Sequence, residues 1–443
     1  MSLRIHGFLL ALASLIVLGL PEQAQAIPAF ARQTSLPCAS CHVGAFGPQL
    51  TKTGRMFKAN GYTLGEKQQI YRYVAAMVVG GDEHTSKPVV APETGKPNDN
   101  VTVDQVSLFY GGRITSNVGL FSQVTYDPNE KAVALDNTDL RFAGNTTVAG
   151  KAMIYGVTIN NNPTMQDLWQ TTPAWGYPYI TSALAPPPDT DGYISALGGQ
   201  VVGVGAYGLW NDLLYVEYSR YGNIADSLQR SLGNGDVSGN DHLKGAADYW
   251  RVALQHDFGP HYVAVGAFGL DANRYPGNQR DQGTDKFIDA AVDGTWQYTS
   301  GDGNHMLSAY VTLLHERQDL KASLALGAAA NAKNTLDIAR YNLSYNYKST
   351  YGVTLGRFST TGSADTLLYN SPNNRPDSSG YITQLDFTPF GKVVPDGLPE
   401  VNIRLFVQYT AYDKFNGTAR NYDGTGRNAS DNNTIFTGIW LAY

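Results

Sequence analysis

Residues 337–347 read DIARYNLSYNY, and their alternation carries the fold. Ala339, Tyr341, Leu343, Tyr345 and Tyr347 share one parity, and Ile338, Arg340, Asn342, Ser344 and Asn346 share the other. One face is thus apolar and the other mostly polar, which is the period of a β-strand and not of a helix. Residues 402–412, NIRLFVQYTAY, repeat the pattern: Ile403, Leu405, Val407, Tyr409 and Ala411 alternate with Arg404, Phe406, Gln408 and Thr410. A barrel with lipid outside and water inside needs this two-residue period. A half-buried antiparallel strand of any kind shows it too, so the number of such runs matters more than any one of them.

Sixteen runs of this kind follow one another. They lie near 70–80, 103–113, 117–127, 135–144, 149–160, 195–209, 213–221 and 246–257, then near 261–271, 285–299, 303–317, 335–347, 350–360, 380–390, 401–412 and 433–443. Short links (TSN, WND, DFGP, SGDGN) alternate with long ones such as 161–193 and 222–245, the arrangement of short periplasmic turns and long outer loops. An even count puts both barrel termini on the short-turn side. The final residues, TIFTGIWLAY, set Ile435, Ile439, Leu441 and Tyr443 on one face and end on an aromatic, as outer-membrane barrels commonly do.

Composition agrees with an all-β, transmembrane outer-membrane barrel of about 16 antiparallel strands. Only 16% of the residues are charged, while 47 Gly and 28 Tyr are present. No later stretch is apolar enough for a membrane helix. The net charge of −6 and the lack of a basic patch exclude nucleic acid as a partner.

The first 26 residues have the form of a secretory signal: Arg4, the apolar run GFLLALASLIVLGL, and AQA ending at Ala26. An uncleaved anchor is the competing reading, but the apolar run is shorter than the roughly 20 residues a span needs. The domain plan is therefore signal peptide 1–26, a small segment 27–68 and a porin-like barrel 69–443.

Both cysteines of the chain fall within PCASCH, residues 37–42. Cys38, Cys41 and the adjacent His42 fit a c-type haem attachment site, with two thiols for the haem vinyl groups and the imidazole as proximal axial ligand. A thioredoxin-like pair wants a βαβ setting, and a zinc site wants two more ligands nearby. One covalent haem c is the expected cofactor.

The segment 27–62, IPAFARQTSLPCASCHVGAFGPQLTKTGRMFKANGY, resembles the start of the fused monohaem cytochrome–porins, whose best-known members are outer-membrane iron oxidases. The matching positions are Pro28, Phe30, Ala31, Arg32, Gln33 and Thr34, then Phe46, Pro48, Leu50, Gly54, Arg55, Phe57, Lys58, Gly61 and Tyr62. Ser35 stands where a glycine is frequent, and AFGPQL is one residue longer than usual. The resemblance implies a haem segment attached to, or plugging, a sixteen-stranded porin. It further implies electron transfer, with extracellular ferrous iron as donor, a periplasmic cytochrome as acceptor, and iron(II):cytochrome c oxidoreductase activity. Export of electrons to another acceptor, or a diffusion porin gated by its haem segment, uses the same parts. An oligomer in outer-membrane lipid is compatible with each reading.

For the second axial position, Met56 is the nearest thioether, either a ligand or an apolar residue packing on the porphyrin edge. Met77 and His84 are weaker candidates. Arg55 and Lys58 are cations able to meet haem propionates, or simply solvated charges. Asp82, Glu83 and His84, and Asp236, Asp241 and His242, offer oxygen ligands to a ferrous ion, although polar outer loops are ordinary. His256 and His261 face each other across one turn, and His305 and His315 show no partner spacing. The loop 161–193, with Trp169, Trp175, Tyr177, Tyr179 and a Pro186–Pro188 triplet, either folds into the lumen or forms an outer aromatic lid.

Overall fold

In the computed structural model, residues 28–89, 96–128, 131–233, 242–392 and 401–443 are described. The signal sequence, Asp236 and Asp241 lie outside the described residues. Sixteen long antiparallel strands close a barrel, and one two-residue strand, β8 (His242–Leu243), pairs beside the end of one of them. The long strands are β1 (Val74–Thr85), β2 (Asn100–Arg113), β3 (Val118–Asp127), β4 (Ala132–Val148), β5 (Lys151–Asn160), β6 (Val201–Trp210), β7 (Leu214–Asn223) and β9 (Ala247–Phe258). The second half holds β10 (His261–Tyr275), β11 (Asp285–Thr299), β12 (His305–Asp319), β13 (Lys333–Tyr347), β14 (Tyr351–Gly362), β15 (Ser378–Phe387), β16 (Asn402–Lys414) and β17 (Thr434–Ala442). Each strand pairs with its neighbours in sequence, β8 aside, and β1 pairs with β17 to close the ring, Met77 standing opposite Ala442.

All sixteen expected strands are present, with shifted ends. The first expected strand begins too early, because residues 70–73 form a 3-10 turn before Val74. The sixth begins later than expected, at Val201. Residues Tyr193–Ala196 form a short helix instead, whose first backbone N–H groups are taken by wall carboxylates: Tyr193 N donates to Glu316 and Ile194 N to Asp289. Three short links turn on two consecutive residues at positive φ: Ala149–Gly150, the whole of a two-residue link, and Asn211–Asp212 and Lys348–Ser349, each within a three-residue link. That backbone matches the twist of paired strands and sets their register.

The alternation in β13 is realised as read. Tyr341, Leu343 and Tyr345 are exposed on the outer wall, and Asn342, Ser344 and Asn346 are buried facing in. Val204, Leu254, Val265, Val292, Leu355 and Leu385 are each more than half exposed, so the wall carries an apolar outer face. Ring pairs such as His261–Trp296 and Tyr351–Phe387 sit at the short-turn end.

A sixteen-stranded ring is wide enough for an aqueous channel. Here the inward side chains are buried because two segments of the chain fill the lumen. The first is helical: α1 (Pro28–Thr34), α2 (Cys38–Cys41) and α3 (Lys52–Ala59). The second is the link between β5 and β6, which carries α4 (Tyr193–Ala196). Apolar cores lie inside the ring, where Phe57, Tyr62, Met165, Met77, Phe109 and Phe121 share one cluster.

Candidate functional site

The helical segment is fastened to the inner wall at many points. Thr51 caps α3, its side chain accepting from Gly54 N at 3.4 Å, and Gly61 at φ +64° ends it. Arg55 donates to the Leu50 carbonyl at 2.8 Å and to Gln297 of β11 at 3.0 Å, and its guanidinium lies 3.6 Å over the Tyr262 ring. Tyr62 donates to Asp139 of β4 at 2.7 Å. Arg404 of β16 donates to the Phe46 carbonyl at 2.8 Å, and Asn402 to the Ala45 carbonyl at 3.1 Å. At the short-turn mouth, Lys52 pairs with Asp212 and Asp257.

The loop between β5 and β6 lies within the lumen rather than over it. Trp169 donates to Tyr262 of β10 at 2.6 Å, Thr171 bonds Asp293 of β11, and Gln408 of β16 donates to the Ile180 carbonyl at 2.9 Å. Arg251 of β9 sits between Asp167 of the loop and Asp293 of the wall, at 3.4 and 2.6 Å. Arg141 of β4 bonds both fillings. It pairs with Asp139 at 2.7 Å and donates to Lys58 O at 3.0 Å and Gln166 O at 2.8 Å, and it is wholly buried.

Between the two segments and the wall lies a cavity of about 540 Å³, within the range of cofactor sites. Cys38, Cys41 and His42 all line it, and its apolar surface comes from side chains such as Phe30, Phe46, Phe57, Phe121, Trp175 and Trp440. No disulfide joins Cys38 and Cys41. The buried Nδ1 of His42 has no hydrogen-bond partner, and burial pushes the imidazole down to about 4 and the Cys41 thiol up to about 11.

The remaining expected residues divide. Lys58 reaches the cavity, its Nζ donating to Met165 O at 2.7 Å and lying 4.6 Å over the Trp175 ring. Burial, with the charge of Arg141 added, pushes its amine down to about 7. Arg55 and Met56 do not line the cavity. Arg55 is turned to β11 and Tyr262, and Met56 packs against the cluster of Ala59, Trp169 and Tyr207. That is the way α3 faces the opposite wall. Met77 lines the cavity, and His84 is bound to Asp99 at 2.7 Å. His242 pairs with Asp226, His256 meets Phe258, and His261 meets Trp296, so the last two do not form a pair. No group of three or more His, Cys, Asp or Glu side chains is set to hold a metal ion among the described residues.

No protein-family model matches the chain, and no curated protein does. Among solved structures, the chain is similar in path to OmpF of Salmonella typhi in complex with daunomycin, at 14% identity and TM-score 0.46 over 84% of this chain and 97% of that one. It is also similar to a loop L8 deletion mutant of Vibrio cholerae OmpT (12%, TM-score 0.42, 84% and 97%). An anion-selective porin from Comamonas acidovorans is a third (10%, TM-score 0.41, 84% and 98%).

Proposed function

We propose that this chain is an outer-membrane barrel of porin type whose lumen is closed by its own N-terminal segment, and that the segment carries one covalent c-type haem for electron transfer. The membrane location is supported by the outer wall: apolar side chains exposed over a whole closed ring are an aggregation surface in water and a matched one in lipid.

One observation carries the haem reading. The only two thiols of the chain and the neighbouring imidazole open into the same apolar cavity, and that imidazole has a buried nitrogen without a partner. These residues fit the group. Cys38 and Cys41 would hold its vinyl carbons, His42 its iron, and Lys58 is a cation on the lining suited to a propionate. Bound there, a haem would supply a one-electron centre within a wall whose hydrocarbon core of about 30 Å otherwise insulates. Phe30, Phe57 and Trp175 give the cavity apolar walls, while Arg141 fixes the Lys58 and Gln166 backbone and Arg404 the Phe46 backbone.

The donor implied by the resemblance is extracellular ferrous iron, with electrons leaving to a periplasmic cytochrome. A second reading is a diffusion channel gated through the same segment, and a barrel of this kind taken alone supports it more directly than it supports iron oxidation. Two measurements on detergent-purified protein separate them. Covalent haem, shown by intact mass and lost in Cys38→Ala/Cys41→Ala, with rapid anaerobic reduction by ferrous iron, supports the first. A steady open conductance in planar bilayers, with haem that dithionite reduces and ferrous iron does not, supports the second.

A further inference from the structure

We propose that the thioether of Met77, a residue of the barrel wall, is the second axial ligand in the cavity that His42 lines. The proposal rests on the haem reading above and follows from elimination among the side chains able to bind iron. Met77 is 8% exposed and lines the cavity. The other methionines among the described residues do not line it. Met56 packs on the far side of α3, Met165 shares the cluster of Met77 but is wholly enclosed there and off the lining, and Met153 and Met306 belong to β5 and β12. Apart from His42, no described histidine lines the cavity.

Other polar groups on the lining are engaged: the Lys58 amine donates to Met165 O, the Tyr62 hydroxyl donates to Asp139, Asp136 accepts from the Thr125 hydroxyl, and Arg340 donates to Asp191. A thioether has no such hydrogen-bonding obligation and is a soft ligand that c-type haems accept opposite histidine.

The placement of Met77 is also rigid. β1 is paired on both sides, Met77 lying opposite Ser107 of β2 and Ala442 of β17, and Ala442 and Trp440 line the same cavity. The register of three strands therefore sets where the sulfur sits. Ligation would join the N-terminal segment to the ring that closes around it.

The test uses full-length, haem-loaded protein with barrel folding checked by heat-modifiable migration. Wild type is expected to show a low-spin ferric spectrum with the far-red thioether-to-iron band. Met77→Leu should lose that band, become high-spin by electron paramagnetic resonance and show a lower reduction potential, while Met56→Leu leaves all three unchanged. Met77→His should stay low-spin with a bis-imidazole signature, which gives a second readout if the leucine variant folds poorly. A far-red band that survives Met77→Leu, or disappears in Met56→Leu, overturns the assignment while covalent haem still stands. Absence of covalent haem from the wild-type protein overturns the haem reading itself and this inference with it.

Discussion

Arg141 of β4 donates to the backbone carbonyl of Lys58 at 3.0 Å, so a wall residue holds the C-terminal end of α3, a helix that carries two buried cations, Arg55 and Lys58. The same guanidinium reaches the Gln166 carbonyl of the lumen loop and pairs with Asp139, both side chains of the pair being wholly buried. Removing one partner of such a pair leaves a lone buried charge and costs about 3–5 kcal/mol. Arg141→Met is therefore expected to leave the barrel folded but loosen both lumen fillings, seen as new conductance openings in planar bilayers. Adding Asp139→Leu should recover part of the closure, and no change in conductance for the single variant would remove Arg141 from this role.

Gly54 lies where α3 passes the backbone of the cysteine motif. A Cβ there would stand 2.2 Å from the Cys41 carbonyl oxygen, which is backbone and cannot swing away. Gly54→Ala should push α3 off the motif at a cost of about 1–3 kcal/mol or more. The expected result is faster protease cleavage within 28–62 and less covalent haem per barrel, whereas a surface substitution such as Lys67→Ala leaves both unchanged.

Lys58 makes closure depend on pH. Its amine is pushed from the ordinary 10.5 to about 7 when buried, so the released segment holds more protons between these values. The sign follows from linkage: closure strengthens as pH rises from about 7 to 10.5, and below about 7 the whole burial penalty is present. Up to tenfold per pH unit is available. Open probability in bilayers should fall with pH in wild type over this window and lose that slope in Lys58→Met.

Leu355 is exposed on the outer wall, four residues along β14 from Tyr351 at the short-turn end. At about 3.3 Å per residue, that is about 13 Å into the membrane. Leu355→Arg should destabilise folding into lipid vesicles by about 2–4 kcal/mol, and Thr361→Arg, nearer the far rim, by about 0–1 kcal/mol. Equal costs at the two positions in urea titrations would contradict the placement of the lipid band.

The wall was legible because each strand declares its two faces locally, as Tyr341, Leu343 and Tyr345 do against Asn342 and Ser344. The cysteine motif was legible for the same reason, all its chemistry lying within five residues. Pairings across the lumen were not. Arg141, Asp139, Arg251 and Asp293 read as ordinary polar residues of inward faces, and nothing near them in sequence names Lys58, Gln166 or Asp167 as partners. Nearness of Met56 to His42 along the chain says nothing of which face of α3 it takes, and it packs toward Trp169 and Tyr207. Met77, in a strand, reaches the cavity by register. Whether the aromatic loop lay inside or outside was equally undetermined, since Trp169 and Trp175 suit either place until Tyr262 and Met165 are seen beside them.

The N-terminal segment rests on Arg404 and Trp440, which belong to β16 and β17, the last strands of the chain. Its seat does not exist until nearly the whole polypeptide has been made. Contacts this remote in sequence form late. Gly44, at φ +67° with the Asn346 side-chain oxygen 2.5 Å from where its side chain would begin, passes close against β13 in that seat. On the proposed haem reading, biogenesis has an order: the group is attached to the leading end while it is still loose, and the trailing strands then shut it in.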